Sequence, residues 1–92
     1  MSTALSNSAV SLVVVRVGKR GITNALIREL DNILKARGVV KVKLLRSFRE
    51  SHDVDREVRA RLAEELAERL RAEVIDVRGY TIVLKRGRGI TG

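Results

Sequence analysis

The run Leu12-Val13-Val14-Val15, closed by Gly18, leads into an amphipathic helical stripe and then into a stretch that alternates with period two. That succession constrains the fold more than any other feature. β-branched side chains pack well on a pleated surface, so residues 11–17 predict a strand. Ile22, Leu26, Leu30, Ile33 and Leu34 then recur every three or four residues, with Arg28, Asp31, Asn32 and Lys35 off the stripe. This spacing predicts a helix ending near Arg37. Lys35 and Arg37 sit where cations favour the negative dipole end, and Gly38 can take the left-handed conformation just beyond. Over residues 39–46, Val40, Val42 and Leu44 alternate with Lys41 and Lys43, which predicts a strand with one wet face.

Residues 47–52 are polar and read as a loop, with Asp53 as N-cap of a second helix. Its apolar stripe is Val58, Leu62, Leu66 and Leu70, flanked by Ala63 and Ala67. Opposite charges four apart, Asp55 with Arg59, Glu57 with Arg61 and Glu65 with Arg69, mark a self-neutralising solvated surface. Two strands finish the chain, residues 74–77 and 80–85, joined by a turn at Arg78-Gly79. The expected fold is thus a two-layer α/β domain of order β-α-β-α-β-β, a four-stranded mixed sheet with two helices on one face. Successive right-handed crossovers put both helices on the same side. Alternation turns Val15, Val17, Val40, Val42, Leu44, Ile75, Val77, Ile82 and Leu84 toward the helices. The open face keeps Arg16, Lys41, Lys43, Arg78 and Lys85, with Asp76 the only acid. Residues 1–10 are expected to be disordered, 11–86 to form one domain and 87–92 to be a flexible tail, with Arg86 and Arg88 as tail charges.

Charge narrows the function classes. Nineteen Lys and Arg against eleven Asp and Glu leave a net charge of +8, which points to a polyanionic partner. The excess is uneven. Residues 1–52 hold ten bases and three acids, whereas residues 53–92 hold nine bases and eight acids. The absence of Cys excludes a disulfide scaffold and makes a reducing, cytoplasmic location the expectation. No membrane partner is expected, because the longest apolar run is far too short to span a bilayer, and no basic residue precedes it as in a signal peptide. The single His52 has no second His or Cys with which to share a metal, and no nucleophile elbow or nucleotide-cradling loop occurs. The expectation is a chain without catalytic activity, metal or cofactor.

Gly18-Lys19-Arg20-Gly21 stands out because of where it lies, between a strand and a helix. Two glycines let one backbone approach another closely, and the helix start behind them offers unsatisfied N–H groups and a partial positive charge. Lys19 and Arg20 add two formal charges. A plain strand-to-helix turn would look similar, since Gly-x-x-Gly alone is a weak signal. Arg16 and Arg28 flanking the loop, and Lys41 and Lys43 on the next strand, favour a phosphodiester. Lysines also protect sheet edges from aggregation, and both roles can coexist. Tyr80 and Phe48 are the only aromatics, too few for a platform that reads bases by stacking. Recognition should rest on phosphate and shape.

The ordered set Val17-Gly18-Lys19-Arg20-Gly21-Ile22-Thr23, then Val40-Lys41-Val42-Lys43, then Val77-Arg78-Gly79 leading to Thr81-Ile82-Val83-Leu84-Lys85-Arg86, resembles the CRM domain, the YhbY-like RNA-binding module. The resemblance covers residues 13–86. It implies a fold akin to the C-terminal domain of translation initiation factor three, with the glycine loop working as in KH domains. It also implies binding of structured RNA, because bacterial members associate with precursors of the large ribosomal subunit and plant members assist intron splicing. By position, Gly18, Lys19, Arg20, Gly21, Lys41 and Lys43 would contact RNA, and Arg16, Thr23, Arg28, Arg78 and Lys85 complete the expected surface. The chain departs from the family twice. Residues 1–12 are too short and Ser-rich for the helix that commonly precedes the first strand, and Lys85 stands where members often carry an aromatic. A competing expectation is a DNA-coating, Alba-like protein, which shares the element order and the Gly-Lys-rich turn but commonly has a longer final hairpin.

Overall fold

A computed structural model describes residues 12–87. Its elements are β1 (Val14–Val17), α1 (Asn24–Arg37), β2 (Val39–Leu44), α2 (Arg46–His52), α3 (Arg56–Leu70), β3 (Glu73–Arg78) and β4 (Thr81–Lys85). The expected order holds, with one added helix. The expectations for residues 1–10 and for the tail beyond Gly87 lie outside the described residues.

Segment 47–52 is helical rather than a polar loop, because one apolar residue anchors it. Phe48 is 4% exposed in the core, and His52 one turn later stacks on its ring with centroids 4.3 Å apart. Asp53 then closes α2 in the left-handed conformation, φ 49°, its N–H donating to the Arg49 carbonyl. The N-cap of α3 therefore falls to Asp55, whose Oδ1 accepts from the Val58 N–H at 2.9 Å. That use removes Asp55 from the expected pair with Arg59. Of the three expected helix pairs only Glu57 with Arg61, at 3.9 Å, forms among the described residues.

The strands lie in the order β1-β2-β4-β3. β1 pairs with β2 in parallel, and β4 is antiparallel to both its neighbours. The core is built from Val15, Val17, Val40, Val42, Leu44, Ile82 and Leu84 of the sheet, all buried. Against them pack Leu26, Leu30 and Leu34 of α1 and Ala63, Leu66, Ala67 and Leu70 of α3. Both long helices thus cover one face. β3 departs from the expected alternation. The register shifts between Val74 and Asp76, so Val74 opposes Leu84 and packs against the core while Ile75 is the extra residue, 50% exposed. Val77 opposes Ile82 as alternation requires, yet it lies on an edge strand and stays 40% exposed. The final turn is Gly79-Tyr80, with Gly79 at φ +59°, so Tyr80 leaves the strand and Arg78 joins β3.

Arg86 is not a tail charge. Its backbone N–H donates to the Gly38 carbonyl at 2.8 Å, which continues the sheet past β4. Its guanidinium donates Nε and Nη2 to the Leu70 carbonyl at 3.0 and 2.6 Å, and Nη2 to Asp31 Oδ1 at 2.7 Å. One side chain thereby ties β4, the C-terminal end of α3 and α1 together.

The Arg86 hydrogen bond, assisted by Lys35, holds the Asp31 carboxyl below its ordinary pKa against the opposing effect of desolvation. A depressed folded pKa contributes stability that is complete above the unfolded value, about 3.9, and is lost as pH falls through the lower folded value. In urea unfolding, the wild-type chain is therefore expected to exceed Asp31→Asn by a steady margin from neutrality down to about pH 5, shrinking below about pH 4. A margin that ignores pH would remove the ion pair as its source.

Candidate functional site

Parallel pairing sets Val17 beside Leu44, so the connections that leave β1 and β2 emerge at the same end of the sheet. The first is the glycine loop. The Gly21 N–H donates to the Gly18 carbonyl at 2.9 Å, which closes a tight turn with Lys19 and Arg20 exposed at its corners. Gly21 is buried at φ +75°, a conformation that costs an L-residue but not glycine. Behind the turn stands α2. A Cβ on Gly21 would lie 3.4 Å from His52 Nε2 and 3.5 Å from the Phe48 ring, and one on Gly18 would lie 3.4 Å from Ser47 Oγ. His52 is itself held by a 3.1 Å contact between Nδ1 and the Phe48 carbonyl. Ser47, Phe48 and His52 thus form a backstop that the sequence reading missed. The available signal was the four-residue spacing of Phe48 and His52, hidden by the polar residues around them.

Beyond the loop, Thr23 caps α1, its Oγ1 accepting from the Leu26 N–H at 3.1 Å. The first turn of α1 carries no acidic side chain, so the positive end of its dipole is not internally neutralised. Arg16, the four loop residues, Thr23, Leu26 and Glu29 line a shallow groove there. Arg28 is exposed outside it, in an adjoining depression with Ala25, Glu29, Asn32 and Ile33. It is near the loop without joining it.

Register sorts the open-face charges into rows that cross the strands. Nearest the loop, Arg16 opposes Lys43, Lys43 opposes Thr81, and Thr81 opposes Arg78. This row holds three cations, one hydroxyl and no acid. At a strand spacing of about 4.8 Å it spans roughly 14 Å. The next row runs Val14, Lys41, Val83 and Asp76, and the third Val39, Lys85 and Glu73. Lys41 therefore stands one row back, while Lys85 lies two rows from the loop and opposite an acid. Asp76 is not the only acid on this face, because Glu73 extends β3 by one residue. Asp76 reaches Arg78 at 3.7 Å, but the side chains are 46% and 86% exposed, so the pair does little to neutralise the row.

Among the described residues there is no cluster of three His, Cys, Asp or Glu that could hold a metal ion, and no helix long and apolar enough to cross a membrane.

Comparison with known proteins connects this geometry to a family. The model of the CRS1/YhbY (CRM) domain matches residues 3–86. A relative from Methanocaldococcus jannaschii, named probable RNA-binding protein MJ0652, is 40% identical over 75 residues, which are 82% of this chain and 52% of that protein. The chain thus spans about half the length of this relative. The solution structure of hypothetical protein SAV1595 from Staphylococcus aureus, titled as an RNA-binding candidate, superposes with a TM-score of 0.67 at 27% identity. The superposition covers 92% of this chain and 81% of that one.

The two loop glycines should differ in what they tolerate. Gly21→Ala places a Cβ at positive φ and is expected to cost about 1–2 kcal/mol. Gly18→Ala meets only ordinary contacts, and its stability should stay within about 0.5 kcal/mol of wild type. Thermal or urea unfolding of the pair checks this, and equal destabilisation would count against the loop geometry.

Proposed function

Because this chain belongs to the CRS1/YhbY (CRM) domain family, we propose that it is a non-catalytic RNA-binding protein that grips the backbone of structured RNA. The observation that carries the reading is the acid-free row Arg16-Lys43-Thr81-Arg78, which begins beside the Lys19-Arg20 tip. Its division of labour follows from the chemistry. The glycine turn lets a sugar–phosphate chain approach the backbone, while the start of α1 favours an anion beside it. Lys19 and Lys43 act as point charges on phosphate oxygens, and Arg16, Arg20 and Arg78 can donate through both arms of a fork. Lys41 extends the charged surface by one row, and Arg28 and Lys85 add only general field.

Base readout has little to work with. Phe48 is buried, and Tyr80 carries guanidiniums on its ring. Affinity should therefore follow phosphate positions and RNA shape more than sequence. Among structured RNAs, ribosomal RNA and its precursors are the class that the family resemblance implies, with a role in ribosome assembly or RNA maturation. The names of the archaeal and staphylococcal relatives support RNA over duplex DNA. The two-residue turn Gly79-Tyr80 supports the same choice, being shorter than the hairpin common in DNA-coating proteins of this element order.

Lys19→Ala/Arg20→Ala is expected to weaken binding of several unrelated RNAs to a similar extent with little change in melting temperature. The slope of log affinity against log salt should become shallower by about 0.7 for every phosphate of single-stranded RNA that the variant no longer neutralises. Unchanged affinity in this double variant would remove the loop from the interface. Duplex DNA that competes as well as RNA at equal salt would instead favour the DNA-coating alternative.

A further inference from the structure

The β3–β4 turn carries a cluster that neither the glycine loop nor the cationic row uses. Tyr80 is 39% exposed, and two guanidiniums stand over its ring. Arg49 of α2 has its Cζ 4.1 Å from the ring centroid, and Arg59 of α3 lies at 5.2 Å. Arg59 also donates Nη1 to the Gly79 carbonyl. The Nε atoms of both arginines are buried without a hydrogen-bond acceptor among the described residues. No carboxylate among the described residues lies within ion-pair distance of either side chain. The acid that should have neutralised Arg59 is Asp55, which caps α3 instead.

Two like charges on one ring, desolvated in part and lacking a counter-charge among the described residues, repel each other, and the ring offsets this only in part. An oxyanion would relieve it. Contact with the ring restrains both guanidiniums in advance, and a planar guanidinium suits the oxygens of a phosphate better than a mobile lysine would. The location selects whose phosphate. The Tyr80 carbonyl accepts from the Leu44 N–H at 2.8 Å, so the turn lies at the same end of the sheet as the glycine loop. Arg78, the last member of the cationic row, directly precedes the turn. α2 bridges the two features, with Phe48 and His52 against Gly21 and Arg49 against Tyr80.

We propose that Arg49, Arg59 and Tyr80 form a second backbone-phosphate site for the same RNA, which passes from the glycine loop across α2 to the β3–β4 turn. The inference rests on the RNA-binding reading above and adds a phosphate site that it does not require.

The test titrates a fluorescent RNA hairpin with single-stranded flanks into wild-type protein, Arg49→Gln/Arg59→Gln, Arg49→Lys/Arg59→Lys and Lys19→Ala/Arg20→Ala, at several KCl concentrations. The Gln pair should weaken binding and lower the salt slope by about 0.7 to 1.4. The Lys pair should keep most of the slope but bind more weakly, because charge survives and the fork does not. Combining the Gln pair with the loop pair should sum the two reductions in slope. If the Gln pair binds with wild-type affinity and slope while the loop pair is impaired, the cluster merely pins the turn and the proposal fails with RNA binding intact. Wild-type protein without salt-dependent RNA binding would overturn the RNA reading and the second site with it. Should the Gln pair not fold, inorganic pyrophosphate titrated into wild-type protein decides. Shifts of the Arg49 and Arg59 Nε–H resonances support the site, and their absence overturns it.

Discussion

Parallel pairing of β1 with β2 is the constraint on which the remaining geometry depends. It aligns Val17 with Leu44, so the turn after one strand and the helix after the other are neighbours although more than twenty residues separate them. An antiparallel arrangement would send the glycine loop to the opposite end from α2. The parallel one requires a covering crossover, and α1 supplies it by burying Leu26, Leu30 and Leu34 on the sheet. The Gly21 contact with Phe48 and His52 follows from that placement.

The same sheet sorts charge without help from any dedicated residue. Side chains repeat every second position along a strand, but their lateral neighbours are set by register. Arg16, Lys43 and Arg78 share a row at one end of the face, while Asp76 and Glu73 fall into rows further from the loop. The bulge at Ile75 takes part in this. Without the bulge that takes Ile75 out of register, Val74 and Val77, three positions apart, could not both meet their core-side partners Leu84 and Ile82 while Asp76 and Arg78 stay on the open face.

Arginine carries three different tasks in this chain. Arg86 is largely buried and spends its donors on the Leu70 carbonyl and Asp31, closing the far end of the two layers. Arg49 and Arg59 lie over Tyr80 at the near end. Arg16 and Arg20 are exposed beside the loop. What separates these tasks is the available acceptor. A helix C-terminal carbonyl with an adjacent carboxylate satisfies Arg86, whereas no acid reaches Arg49 or Arg59 among the described residues.

Much was legible because local rules sufficed. The period of Leu26, Leu30 and Leu34, the left-handed cap at Gly38 and the alternation of Val40, Val42 and Leu44 are properties of short segments, and the structure keeps them. The position of the glycine loop between β1 and α1 is equally local. Phe48 shows where that kind of reading stops. In a polar segment its one aromatic ring makes a helix only because a core is there to receive it, and Asp53 and Asp55 change roles as a consequence. Likewise nothing near Arg86 in the chain discloses Asp31 or the Leu70 carbonyl. The amino-acid order by itself determined the four strands, the two long helices, the sign of the charge and the glycine loop. The tertiary structure decided which charges stand together and which helix supports the loop, because strand register and long-range burial are settled only when the layers pack.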